Sequence, residues 1–468
     1  MTGLSPPPQS LRTLLTLAWP IVLARSTQAV VGFCDALMVA PLGERTLAAV
    51  TTGALNVLTF VMMPMGTMFI LQSFAAQLRG RGELEAARRY AIYGLILATV
   101  AGAFAAAAIP WIDDVVSHLD LASGVAEEMT SYVRIRLLSI AAIVGVEALG
   151  NWYGGLGNTR ISMIAGVATM IFNIAGNYVL IEPRWGLAGY GASGAALASV
   201  TSSWLGFLLV LVLFLRGYGH GLPPSRFVFR WPELVRLLRF GLPSGVNWFL
   251  EFAAFAFFIN VVVAHLGTSV LAAFNVVFQI NSISFMPAFG VASAGAILVG
   301  EAIGQRSKER VWPLVRLTLL VTCLWMFSVG LIYVFLPGPL IGLFEPEHKK
   351  TADLVAAGTV MLALCGIWQL FDAVAMTMTE TLRAAGDTAW PMAARITLAW
   401  LLFAPLSWAS VFWWGGGVVT VMVSIIVYIA VLALVLSYRF ASGRWKDIEL
   451  VEPSLQLEVM DYPTKEST

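Results

Sequence analysis

Three carboxylates lie inside runs of apolar residues, and their types and surroundings limit the chemistry this chain can do. Glu251 sits within Asn247-Trp248-Phe249-Leu250-Glu251-Phe252, Asp372 within Trp368-Gln369-Leu370-Phe371-Asp372, and Asp35 within Gly32-Phe33-Cys34-Asp35-Ala36-Leu37. A charge at a bilayer centre costs at least about 2.5 kcal/mol, so such groups face a bundle interior or a water-filled cavity. Desolvation raises a carboxylate's pKa and a nearby cation lowers it, so one acid holds a proton or a cation but seldom both. That exclusion is what an ion-coupled exchanger needs. The structural alternative for each acid is a hydrogen bond to a neighbouring helix.

The neighbours at helical spacing suggest what such an acid would bind. Asn247, Trp248, Phe255 and Phe258 share a helix face with Glu251. An acid beside aromatic faces suits a bulky, weakly hydrated cation, through Coulomb attraction and cation–π contact. Asp372 has Trp368, Gln369 and Met376 at the same spacings, and core packing is the alternative for these residues. Asn173 and Asn177 stand one turn apart, and Ser199, Gln279 and Asn281 also fall in apolar runs. These groups either bond across helices or line a site. Arg25 and Glu147 are opposite charges within apolar runs, which a fold could pair, and Glu380 is expected to reach water at a span end.

The elements that must position these residues follow from composition. Only 12% of the 468 residues are charged, against about 25% in soluble domains, and 59% are hydrophobic. Such a chain cannot cover itself with a water-facing shell. A span needs about 20 apolar residues, and twelve runs qualify, centred near Val22, Val61, Val100, Ala142, Ile171, Gly206, Ala253, Ser284, Met326, Leu364, Trp400 and Val427. The N-terminus lacks the basic region and cleavage site of a signal peptide, so the first run is expected to be a retained span. Cys34, Cys323 and Cys365 all fall in apolar stretches, which argues against disulfides.

Lys and Arg set the orientation. Arg79, Arg81, Arg88 and Arg89 follow span two; Arg216, Arg226, Arg230, Arg236 and Arg239 follow span six; Arg306, Lys308, Arg310 and Arg316 follow span eight. The alternate connectors hold few, namely Arg45, Arg184, Lys349 and Lys350, with Arg134 and Arg136 at the mouth of span four. Both termini are therefore expected in the cytoplasm.

The chain also repeats itself. Val39-Ala40-Pro41-Leu42-Gly43 matches Val263-Ala264-His265-Leu266-Gly267 at an offset of 224, as do Leu47-Ala48-Ala49 and Leu271-Ala272-Ala273, Gly66 and Gly290, and Gly80 and Gly304. Pro20 and Pro64 pair with Pro243 and Pro287 at 223, and Gly157-Asn158-Thr159 echoes Gly386-Asp387-Thr388 at 229. Six spans return the chain to its starting side, so the halves are parallel, related by an axis along the membrane normal. The expected architecture is an all-α membrane protein of twelve transmembrane helices in two six-helix lobes, residues 1–220 and 221–444. The polar segment 445–468 is expected to hang as a disordered cytoplasmic tail. The four prolines should kink their spans at equivalent places in both lobes.

On these residues the chain resembles the multidrug and toxic compound extrusion (MATE) family, over essentially residues 10–440. The features that carry the resemblance are the two lobes, the Asp35…Val39-Ala40-Pro41-Leu42-Gly43 stretch and the Gly191-Ala192-Ser193-Gly194-Ala195-Ala196 opening of span six. Gln77…Gly80 and Glu301…Gly304 fit as well. Acids in spans seven and ten resemble the NorM-type branch, which implies cation coupling at Glu251 and Asp372. The resemblance also implies a second site at Asp35, supported by Asn173, Asn177 and Ser199. The DinF-like branch carries an acid where this chain has Asn177, and at the repeat offset Asp35 falls opposite Ile259. The two lobes are therefore expected to differ chemically.

The expected function is secondary active efflux of small organic cations in exchange for H⁺ or Na⁺, by alternating access of the two lobes. Glu251, Asp372 and Asp35 would couple, Asn247, Gln279 and Asn281 would support them, and Trp248, Phe255 and Trp368 would line an aromatic cavity. Na⁺, where it is the coupling ion, is expected at Glu251 and Asp372, and no other cofactor. A lipid-linked oligosaccharide flippase is the alternative, although its anionic cargo would call for a cationic cavity and the in-span charges here read as mainly acidic. A membrane-embedded enzyme is disfavoured. The four histidines, His118, His220, His265 and His348, lie near loops or span ends, and there is no HExxH, DDxxD or Walker A motif. The net charge of +1 gives no footing for nucleic acid. The chain is expected to act as a monomer in a bacterial inner membrane, in contact with lipid.

Overall fold

The computed structural model describes residues 10–118, 123–183, 189–221, 227–344 and 352–452. Arg184, Arg226, His348, Lys349, Lys350 and the tail beyond residue 452 lie outside the described residues. Every regular element among those described is helical.

Span one is α1 (Leu11–Val39), whose start is capped by Ser10 accepting from the Thr13 backbone N–H at 3.2 Å. Span two breaks at Phe69 into α2 (Glu44–Met68) and α3 (Ile70–Arg81). Span three is α4 (Leu84–Ala108), extended by the short α5 (Ile112–Ser117). Span four is made of two pieces, α6 (Ser123–Leu137) and α7 (Ile140–Gly155), and α8 (Arg160–Leu180) and α9 (Gly191–Leu215) complete the N-lobe. In the C-lobe, span seven is α10 (Trp231–Phe257) continued by a π-helical segment, Phe258–Val263. Then come α11 (Thr268–Gly304), α12 (Val311–Phe335), the short α13 (Pro337–Gly342) and α14 (Ala352–Ala384). Span eleven joins α15 (Ala389–Thr397), a π-helical segment at Leu398–Phe403 and α16 (Ala404–Phe412), and α17 (Val418–Ala441) is span twelve. Among the described residues, eleven of the crossings are long and apolar enough to span a membrane as single segments; broken span four makes the twelfth.

The repeat is visible in the backbone. Gly43 and Gly267 open α2 and α11 with φ of 106° and 109°, a region that only glycine enters freely. The same turn chemistry thus closes the same hairpin in each lobe. Pro20, Pro64, Pro243 and Pro287 all lie inside their helices, as expected.

The lobes exchange their first turns. Leu14 and Ala18 of α1 pack into the core of the C-lobe, whereas Leu234 and Leu237 of α10 pack into the core of the N-lobe. In each case the exchanged turns precede a proline of the same helix, Pro20 or Pro243, and the far end of the helix packs with its own lobe. An apolar periodicity shows that a face is buried without showing which lobe buries it.

The lobes meet at the arginine-rich end. Gln72 Nε2 donates to the Ser293 carbonyl at 2.9 Å and Gln77 Nε2 to that of Ala384 at 2.8 Å. Arg89 grips Glu233 with contacts of 2.7–3.1 Å, and Tyr93 donates to the same carboxylate at 2.9 Å. Gly80 and Gly304 bring backbones together: a Cβ on Gly304 would lie 2.1 Å from the Gln77 carbonyl oxygen, and one on Gly80 2.3 Å from that of Glu301. The hydrogen bonds and ion pairs described between the lobes lie at this end, and the ring contacts, such as Phe69 with Trp248, continue to mid-span.

The tail begins differently from expectation. Residues 445–452 are packed, with Trp445 4% and Leu450 1% exposed, Trp445 in the C-lobe core and Leu450 and Val451 in that of the N-lobe. Arg81 donates to the carbonyls of Val451 and Glu452. Four apolar residues, Trp445, Ile448, Leu450 and Val451, suffice to seat the segment across both lobes, and no periodicity marks such a strap.

Candidate functional site

In the C-lobe, α10, α11, α14 and α15 enclose a cavity of about 130 Å³. Glu251 and Asp372 both line it, with Asn247 and Trp248 from the same face of α10 as Glu251. Two acids far apart in sequence thus share one cavity. Trp248 stands edge-on to Phe289, with ring centroids 6.4 Å apart, and Phe285 and Phe289 complete an aromatic side.

The polar groups are unequally satisfied. The Arg395 guanidinium of α15 donates to Glu251 and, at 3.0 Å, to the Thr379 hydroxyl. Asp372 has no hydrogen-bond or ion-pair partner among the described residues, although Arg395 and Glu251 lie within electrostatic reach. Asn247 Oδ1 is buried with no donor among the described residues. An ionised carboxylate and an amide oxygen, both unpartnered and facing one cavity, can accept a proton, a small cation or a cationic ligand.

Sequence reasoning missed Arg395 and Arg383, so the expectation of mainly acidic in-span charge needs correction. Arg395 is visible in the sequence as a lone cation within Ala389–Phe412, and that signal was available. Glu380 does not reach water: it is 3% exposed and paired with Arg383 on the next turn. Phe255 turns away from the cavity to stack among Phe258, Phe274 and Phe278, and Trp368 is buried in the C-lobe core. Gln279 is exposed. Asn281 Oδ1 accepts from Gln369 Nε2 at 2.6 Å, tying α11 to α14 one turn from Asp372. A helical wheel gives the common face of a set of residues; the π-helical segment beyond Phe257 changes that wheel for its neighbours.

The N-lobe residues also come together. Asp35 Oδ1 accepts from Asn177 Nδ2 at 2.5 Å and Oδ2 from the Ser199 hydroxyl at 3.2 Å, while Asn173 bonds both Asn177 and Ser199. Both oxygens of Asp35 thus have donors, which Asp372 lacks. The lobes differ chemically, and the less satisfied acid is in the C-lobe.

Arg25 and Glu147 do pair, with two contacts of 2.8 and 3.0 Å, and Gln28 and Asn151 each add a bond at 3.2 Å. Arg25 lies 5.2 Å from the Phe69 ring and 5.6 Å from Phe289 across the seam, and Arg383 approaches Phe69 at 5.3 Å. Removing one member leaves a buried charge, so Arg25→Ala should cost about 3–5 kcal/mol. Thermal unfolding in detergent should show a large fall in melting temperature. The Arg25→Ala/Glu147→Ala double variant should recover part of it, and strictly additive losses would rule out this coupling.

Comparison with known proteins adds to this geometry. The MatE family model matches residues 20–179 and 243–409, one block in each lobe. A protein of Neisseria meningitidis serogroup B named "Probable multidrug resistance protein NorM" is 28% identical over 407 residues, covering 84% of this chain and 85% of its own. One of the same name from Thermotoga maritima is 25% identical and covers 94% of both. A solved structure described as the outward-facing conformation of a multidrug resistance MATE family transporter matches with a TM-score of 0.83. It is 21% identical and covers 93% of this chain and 97% of that one.

Proposed function

Since the chain belongs to the MatE family, we propose that it is a multidrug efflux antiporter that exports organic cations in exchange for H⁺ or Na⁺ at the C-lobe cavity. The observation that carries this reading is the convergence of Glu251 and Asp372 on one cavity walled by Trp248, Phe285 and Phe289. Acid and aromatic faces together bind a bulky cation better than either alone. The coupling ion competes for the same acid: a proton neutralises Asp372, and Na⁺ would take its oxygens together with Asn247 Oδ1.

The arginine-rich connectors support an orientation with the closed end of the seam, and both termini, on the cytoplasmic side of a bacterial inner membrane. The described conformation is then outward-facing. An ion loaded from outside displaces the cargo, the seam at Gly80 and Gly304 opens, and cargo from the cytoplasm displaces the ion. The flippase reading loses ground because Arg383 and Arg395, the arginines among the described residues lining this cavity, each hold a carboxylate and leave none free there for a pyrophosphate.

The test is ethidium movement in proteoliposomes with an inward pH or Na⁺ gradient imposed one at a time. One of the two gradients should drive transport against the dye's own gradient. Dye movement that ignores both would end the antiport reading.

A further inference from the structure

We infer that Arg395 sets the charge this cavity demands of its cargo, so that the protein selects monovalent over divalent organic cations. The inference rests on the reading of the C-lobe cavity as the organic-cation site. Four carboxylates line the cavity: Glu251, Asp372, Glu380 and Asp387. Three of them hold an arginine. Arg395 is on Glu251, Arg383 on Glu380, and Arg439 Nε lies 2.6 Å from Asp387 Oδ2. Asp372 alone remains, so with all of these groups ionised the cavity offers one uncompensated negative charge.

Of the three arginines, Arg395 is the one placed to act on cargo. Arg383 and Glu380 are neighbours on one helix, both deeply buried, and Arg439 reaches in from α17 to a residue beyond the end of α14. Arg395 instead bridges α15 to α10, is steadied by Thr379 and stands within reach of Asp372. A monocation at Asp372 meets a neutralised Glu251. The second charge of a dication would meet the Arg395 guanidinium in place of an open carboxylate. Without that guanidinium the same cavity offers two open acids.

The test uses the purified full-length protein in detergent and compares equilibrium binding of ethidium with that of propidium. The two share a ring system, and propidium carries a second positive charge. Arg395→Gln should shift the ratio of the two affinities about tenfold toward propidium, the scale of one added charge in a partly screened site. Arg395→Lys should keep the wild-type ratio. Glu251→Gln/Arg395→Gln, again with one open acid, should restore it. Glu251→Gln alone leaves no net charge and should shift the ratio the opposite way, which keeps the test decisive if Arg395→Gln does not fold. Wild-type ethidium binding with ratios that stay within about twofold in the variants that fold overturns the inference, because a residue that only positions helices would not sort ligands by charge. Wild-type protein that binds neither dye overturns the organic-cation reading and this inference with it.

Discussion

Asp372→Asn should reduce ethidium export at least about tenfold while the protein accumulates and melts like wild type. The substitution is nearly isosteric and breaks no described hydrogen bond or ion pair, so folding has little to lose. It removes the one carboxylate of the cavity that no arginine neutralises. A neutral amide can neither release a proton nor attract a cation, and an interaction lost at the exchanging group should appear in turnover as well as in affinity. Glu251→Gln should also abolish export, for a different reason: its loss frees Arg395, which then takes Asp372 for itself. The double variant Glu251→Gln/Arg395→Gln should therefore transport better than Glu251→Gln alone. Wild-type rates in both single variants would remove this cavity from the mechanism.

Gly304→Val should abolish transport by acting on the seam and not on the site. The added Cβ would stand 2.1 Å from the Gln77 carbonyl oxygen and 2.8 Å from its carbon, and these are backbone atoms that no rotamer change can move away. The two lobes must then separate at their closed end, and the Gln77 bond to Ala384 goes with them. Gly80→Val should do the same from the other side, where the obstacle is the Glu301 carbonyl at 2.3 Å. The check is an Ala76→Cys/Gly300→Cys pair in a background without Cys34, Cys323 and Cys365. A Cβ on Gly300 would stand 2.9 Å from that of Ala76, closer than the roughly 3.5–4.5 Å of a disulfide. A shift of under about 1 Å brings the pair into range, so oxidation should cross-link the closed end in the parent. Adding Gly304→Val should cut the cross-link yield severalfold. Unchanged cross-linking and transport would mean that the seam tolerates separation.

Asp35 shows how far a family resemblance reaches. Spacing alone put Asn173 and Asn177 one turn apart on one helix, and it was the resemblance that joined them and Ser199 to Asp35. The structure joins all four. Phe255 and Trp368 show the limit, since sharing a helix face with an acid did not bring either into the cavity. A span in the middle of a lobe is apolar all round, and apolar character cannot then distinguish the side that lines a cavity from the side that packs.

Sequence alone determined the class of this protein, the number of its crossings, the parallel repeat and the presence of acids that could exchange one cation for another. Each of these depends on local composition or on self-similarity along the chain, and both are written in linear order. Gly43 and Gly267 are the clearest case, because a positive φ is a local demand that only one residue type meets cheaply. Tertiary structure decided the exchanged first turns of α1 and α10, the seat of residues 445–452 and the net charge of the cavity. That charge is a sum over Glu251, Asp372, Glu380, Arg383, Asp387, Arg395 and Arg439, drawn from helices far apart in the chain. Whether an acid is open or already answered depends on which arginine the fold lays beside it.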